Sequence, residues 1–105
     1  MHEFMHQIRL GPPWQTTTSD TGTTRHARKF GSPRALDANE RVWLVCEHVP
    51  GPAEVRVNDA VVGTSGAGGP LAVDITAHLR PRNEVVFAVA SDGPLGPVAL
   101  EIRSV

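Results

Sequence analysis

Scarcity gives the first information in these 105 residues. There is no tyrosine and only one cysteine, Cys46, so no disulfide can form within the chain. Basic residues do not outnumber acidic ones: 10 Lys+Arg stand against 11 Asp+Glu, a formal net charge of −1. Without a basic surplus to neutralise phosphates, a nucleic-acid partner finds no electrostatic support. No apolar run approaches the ~20 residues that cross a bilayer, so no membrane partner is expected. The opening "MHEFMHQIRL" lacks both the basic start and the apolar stretch of a signal peptide. The expectation is a cytoplasmic protein. Lysine is nearly absent as well. Nine of the ten basic residues are arginine, a bias that a GC-rich genome accounts for, although arginine also suits planar contacts to carboxylates and sugar hydroxyls.

What is present is turn chemistry between short apolar runs. The 9 prolines and 10 glycines are dense for the length, and that spacing favours strands over long helices. In 4–10, "FMHQIRL", Phe4, His6, Ile8 and Leu10 share one face. The polar stretch 16–24, "TTTSDTGTT", has too few apolar atoms to pack and reads as an exposed loop. "RHARKF" at 25–30 is a strand anchored by Phe30, and "RVWLVCEHV" at 41–49 is apolar on both faces, as a central strand is. Trp43 and Cys46 are accordingly expected in the core.

The stretch 55–63, "VRVNDAVVG", folds back at Asn58-Asp59, residues that tolerate left-handed backbone angles; Gly63 is expected to permit the next change of direction. Further strands follow at 71–76, 84–90 and 98–105, separated by the glycine-rich 64–70 and by a short helical turn stopped at Pro81. About eight strands without a repeat make a single domain over 1–105, an all-β antiparallel sandwich.

Chemistry-bearing patterns are few. His2, His6, His26, His48 and His78 form no HxH, HxxH or HExxH motif, so no metal site is assigned. The glycine-rich 64–70 has no GxxxxGK[ST] pattern and cradles no phosphate. Ser65 and Ser91 lack a nucleophile elbow, and Cys46 sits mid-strand, out of reach of a substrate. The acids Asp20 and Asp92 show no spacing that pairs them for sugar hydrolysis. No catalytic residue and no cofactor are assigned.

The pieces "VRVND" plus "VVG", "VDITAHL" and "RNEVVFAV", in that order within 53–90, resemble the sugar-binding jelly-roll domain at the front of glycoside hydrolase family 2 enzymes. More broadly they are similar to galactose-binding-domain-like sandwiches. "RVWLVCEHVPGPAEV" and "PVALEIRSV" extend the likeness over 41–104. The chain departs from the pattern at Asp59 (usually glycine), at Arg82, and at Pro70-Leu71, where an aromatic is common. The resemblance implies a galactose-binding-like jelly-roll fold and a carbohydrate-binding module. It also implies that the family's catalytic carboxylates belong to a barrel with no counterpart in these residues.

In the matched signatures, Asn58 turns the hairpin, Asp74 and Thr76 cap the turn that holds His78 and Leu79, and Asn83 orients the following strand. Sugar recognition favours a ring beside hydroxyl-binding groups. Trp14, after Pro12-Pro13, is the candidate ring, and Asp20, Arg25 and Arg28 are the candidate polar partners. Two alternatives stand beside this reading: a structural or protein-interaction domain that self-associates or binds a partner through an edge strand, and a small jelly-roll enzyme acting on a sugar.

Overall fold

The computed structural model describes residues 6–33 and 35–104; Phe4 and His2 lie outside them. Among the described residues there are nine strands, one more than the apolar pattern suggests: β1 His6–Arg9, β2 Gln15–Thr18, β3 Thr24–Gly31, β4 Glu40–Val49, β5 Ala53–Val57, β6 Ala60–Ser65, β7 Gly69–Asp74, β8 Arg82–Val89 and β9 Val98–Ser104. They form two antiparallel sheets, ordered β1-β9-β4-β7 and β2-β3-β8-β5-β6. Consecutive strands are paired only in the β2–β3 and β5–β6 hairpins. Every other connection passes from one sheet to the other, the habit of a jelly-roll sandwich.

The additional strand is β2. Thr16–Thr18 do not form a loop as their polarity suggests. They pair in register with β3 (Thr16 with His26, Thr18 with Thr24), and only the turn between the strands is irregular. A strand at a sheet edge can be held by backbone hydrogen bonds alone, and all four β2 residues are exposed, so no apolar alternation announces it.

The core lies between the two sheets and follows the period of two. Val42, Leu44 and Cys46 of β4 and Val98, Leu100 and Ile102 of β9 face Val55 and Val57 of β5 and Val85, Phe87 and Val89 of β8, all buried. Phe87 is wholly inaccessible, and burying one such side chain stabilises the fold by about 1.5–3 kcal/mol. Trp43, by contrast, is not in the core. It is half-buried on the outer face of β4, with the Arg103 guanidinium 4.5 Å from its ring centroid. Strand alternation puts it opposite Val42 and Leu44, and the sandwich has only two layers, so nothing apolar covers it.

The hairpin tip is a two-residue turn. Asn58 (φ 52°) and Asp59 (φ 71°) are left-handed, and Val57 pairs with Ala60, the geometry of a type I′ turn. Asn58 donates from Nδ2 to the His78 carbonyl (2.8 Å) and to Asn83 Oδ1 (2.9 Å), and its Oδ1 accepts from the Glu84 amide at 3.0 Å. The hairpin tip is thereby tied to the start of β8. Gly63 does not redirect the chain. It sits within β6, where a Cβ would lie 2.7 Å from Val73 Cγ1 of β7, so glycine allows the two edge strands to approach.

Asp74 Oδ1 accepts from the Thr76 amide (2.9 Å) and hydroxyl (2.7 Å), and its Oδ2 from Arg41 Nε at 2.8 Å. Burial pushes this carboxyl up, but Arg41 and Thr76 together outweigh it and hold it below the usual range. Among the described residues, no helix is long and apolar enough to cross a membrane.

Candidate functional site

The site begins with β2 and β3. Residues 14, 16 and 18 fall on the same side, and on β3 the partners Thr24 and His26 point the same way, toward the gap between the sheets. Across the gap lies the segment joining β8 to β9. It is fixed by Gly96, whose amide donates to the His48 carbonyl at 2.7 Å. A Cβ on Gly96 would come within 2.8 Å of the His48 nitrogen, so only glycine lets this loop lie flat against β4. Together these walls enclose an open cleft of about 440 Å³, lined by Trp14, Thr16, Thr18, Thr24, His26 and, opposite, Asp92 to Gly96, with Val98 beyond.

Trp14 joins the cleft to the core. Its ring packs on Phe87 (centroids 6.1 Å apart, planes tilted by 57°), and its indole N–H donates to the Leu10 carbonyl at 3.0 Å. The ring is therefore held in place with its polar edge satisfied, leaving apolar surface at the cleft. Thr16 Oγ1 meets His26 Nδ1 at 3.3 Å, and Thr18 Oγ1 meets Thr24 Oγ1 at 3.4 Å. Each hydroxyl can both donate and accept, so these long contacts leave capacity for a further partner.

His26 is 7% exposed and its Nε2 has no hydrogen-bond partner among the described residues. Burial lowers its pKa below the ordinary imidazole value, which keeps the ring neutral at pH 7.

The structure brings together only part of the set expected from the sequence. Trp14 lines the cleft with the threonine-rich strand. Asp20 sits at the exposed turn between β2 and β3 and is not in the lining. Arg25 is one residue out of phase with Thr24 and His26, so it is exposed on the other face of β3. Arg28 donates from Nε to the Gly11 carbonyl and from Nη1 to the Lys29 carbonyl at 2.7 Å, bracing the approach to Trp14 rather than waiting for a ligand. His26 and Asp92 are the lining residues the expected set omitted. The signal for His26 was available: counting back by two from the inward Phe30 reaches 28, 26 and 24. Asp92 becomes a neighbour only through the fold.

A second, smaller groove of about 310 Å³ lies on the outer face of the β1-β9-β4-β7 sheet, lined by residues that include Arg9, Val45, Ala72, Ala99 and Glu101. Among the described residues, none of those lining it is aromatic. The Cys46 thiol is buried, donates to the His48 carbonyl at 3.4 Å, and is pushed up chiefly by desolvation. It remains a protonated core group. Among the described residues, no group of three or more His, Cys, Asp or Glu side chains is arranged to hold a metal ion.

No protein-family model matches the sequence, and no curated protein matches it. Solved structures do. The chain is similar to Bifidobacterium dentium β-glucuronidase, solved with coumarin-3-O-glucuronide (TM-score 0.81, 14% identity, covering 95% of this chain and 30% of that one). It is similar to a β-glucuronidase of an uncultured Clostridium sp. (TM-score 0.81, 15% identity, 99% of this chain and 30% of that one). It is also similar to a glycosyl hydrolase family 2 member from Bacteroides cellulosilyticus (TM-score 0.65, 20% identity, 77% of this chain and 12% of that one). The chain thus spans less than a third of the structures it matches. At these identities the likeness is one of fold, and it agrees with the sandwich resemblance carried by the 53–90 signatures.

Proposed function

We propose that the chain is a non-catalytic carbohydrate-binding module that holds sugar in the Trp14 cleft. The observation that carries this reading is one cleft combining a fixed tryptophan ring with three threonine side chains and a carboxylate, on a fold shared with glycoside hydrolases. An apolar ring takes the C–H face of a sugar, while hydroxyls and a carboxylate take its O–H groups. Asp92 is the only acid in the lining among the described residues. Glycoside hydrolysis ordinarily needs two carboxyl groups across the bond, so this composition supports binding over cleavage.

Calorimetric titration with a panel of methyl glycosides tests the reading, using wild type, Trp14→Phe and Trp14→Ala. Trp14→Phe keeps the contact with Phe87 but offers a smaller ring, and is expected to weaken binding several-fold while remaining folded by circular dichroism. Binding unchanged in both variants would remove Trp14 from the site.

One observation favours a second reading, assembly through a sheet edge. Val61 on the edge strand β6 is 49% exposed, and β6 carries no charged residue, whereas edges usually carry charge to prevent such pairing. Light scattering coupled to size exclusion separates the two: a stable dimer lost on Val61→Lys supports assembly, and a monomer supports the sugar site.

A further inference from the structure

We propose that the Trp14 cleft selects neutral sugars and rejects uronic acids. This rests on the carbohydrate reading above and adds the chemical class of the ligand. Its basis is the distribution of charge. Among the described residues, neither Arg nor Lys lines the cleft, and its one formally charged residue is Asp92. The two nearest arginines in sequence are turned elsewhere: Arg25 lies on the opposite face of β3, and the Arg28 guanidinium is engaged by the Gly11 and Lys29 carbonyls.

His26, the remaining group able to carry a positive charge, is nine-tenths buried and desolvated, so it is neutral at pH 7. A carboxylated sugar would therefore meet no charge-assisted donor, the contact that normally recognises a carboxylate. It would instead face the like charge of Asp92, which is exposed, so the repulsion is one that salt can screen. A neutral hexose exchanges that carboxylate for a hydroxymethyl group. Such a ligand offers hydroxyls throughout, and the threonine hydroxyls and the Asp92 carboxylate of the lining can recognise them.

The test uses ligands that differ only at C6. Methyl β-glucoside is compared with methyl β-glucuronide, and methyl β-galactoside with methyl β-galacturonide, by calorimetry or saturation-transfer NMR at low ionic strength. The neutral member of a pair is expected to bind at least ten-fold more tightly, a difference of about 1.4 kcal/mol. Asp92→Asn, an exposed and conservative change, is expected to narrow that gap. Added salt is expected to narrow it in wild type. A uronide that binds as tightly as its neutral partner overturns the selectivity and leaves the carbohydrate reading standing. A gap unchanged in Asp92→Asn overturns the role given to Asp92. Binding of neither member of either pair overturns the carbohydrate reading and the selectivity with it.

Discussion

The two tryptophans occupy opposite sides of the sandwich, and their surroundings differ more than their exposure does. Both are half-buried. Trp14 lies at the gap between the sheets, supported by Phe87 from behind and by the Leu10 carbonyl at its polar edge. Trp43 lies on an outer face, in register with Asp74 and Glu101, with Arg103 across its ring. One ring presents apolar surface to a cleft; the other is already occupied by a cation from its own chain. Whether an aromatic can serve a ligand is decided by what covers it, and that depends on its phase relative to the two layers.

Substitution gives the largest contrast. Trp14→Ala removes the contact with Phe87 and a partly buried hydrogen bond, and is expected to lower stability by about 2–4 kcal/mol. Trp43→Ala loses surface packing and a cation–π contact and is expected to cost about 1 kcal/mol. Urea unfolding of both variants checks the order, and equal losses would dissolve the distinction between the two sides.

Acidity separates the sides next. His26, beside Trp14, has a depressed pKa, so the unfolded chain binds its proton first; its contribution is full above about 6.5 and fades as pH falls through that value. Asp74, paired with Trp43 across β4 and β7, is also depressed. Its contribution persists well into acid and is lost only as pH falls below the ordinary carboxylate range, about 3.9. Unfolding free energies across this range are therefore expected to show two declines. His26→Asn flattens the upper one, and Asp74→Asn, at a cost of about 1 kcal/mol near neutrality, flattens the lower one. A single decline unaffected by His26→Asn would show that the cleft histidine does not titrate as its burial requires.

The smallest effect sharpens the contrast from the other side. Arg103→Ala is expected to cost about 0.5–1 kcal/mol and to uncover Trp43. Acrylamide quenching of the fluorescence should rise in that variant, and sugar titrations should be unaltered.

Much of the scaffold was legible because burial follows alternation. The inward sets Val55/Val57, Val85/Phe87/Val89 and Val98/Leu100/Ile102 each fall on one strand face, and the Asn58-Asp59 turn has the residues its left-handed angles require. The threonine strand was not legible, since a strand held by pairing alone leaves no hydrophobic trace. Trp43 was misplaced because an apolar run shows that a strand is central but not how many layers cover it. The site was half-visible: Trp14 and the threonines are neighbours in sequence, while Asp92 to Gly96 reach them only because Gly96 closes onto His48.

That one wall of the cleft is a paired strand has a consequence for how its preference can change. Slipping β2 by one residue against β3 would turn Gln15 and Thr17 inward and carry Thr16 and Thr18 to the outside. On that wall, insertions and deletions scramble every position at once, so diversification must proceed by replacement at alternate residues. The facing segment from Asp92 to Gly96 is bound by no such parity and can lengthen or shorten gradually. A change in what the cleft can accept is therefore expected to come more readily on that facing segment than on the threonine wall.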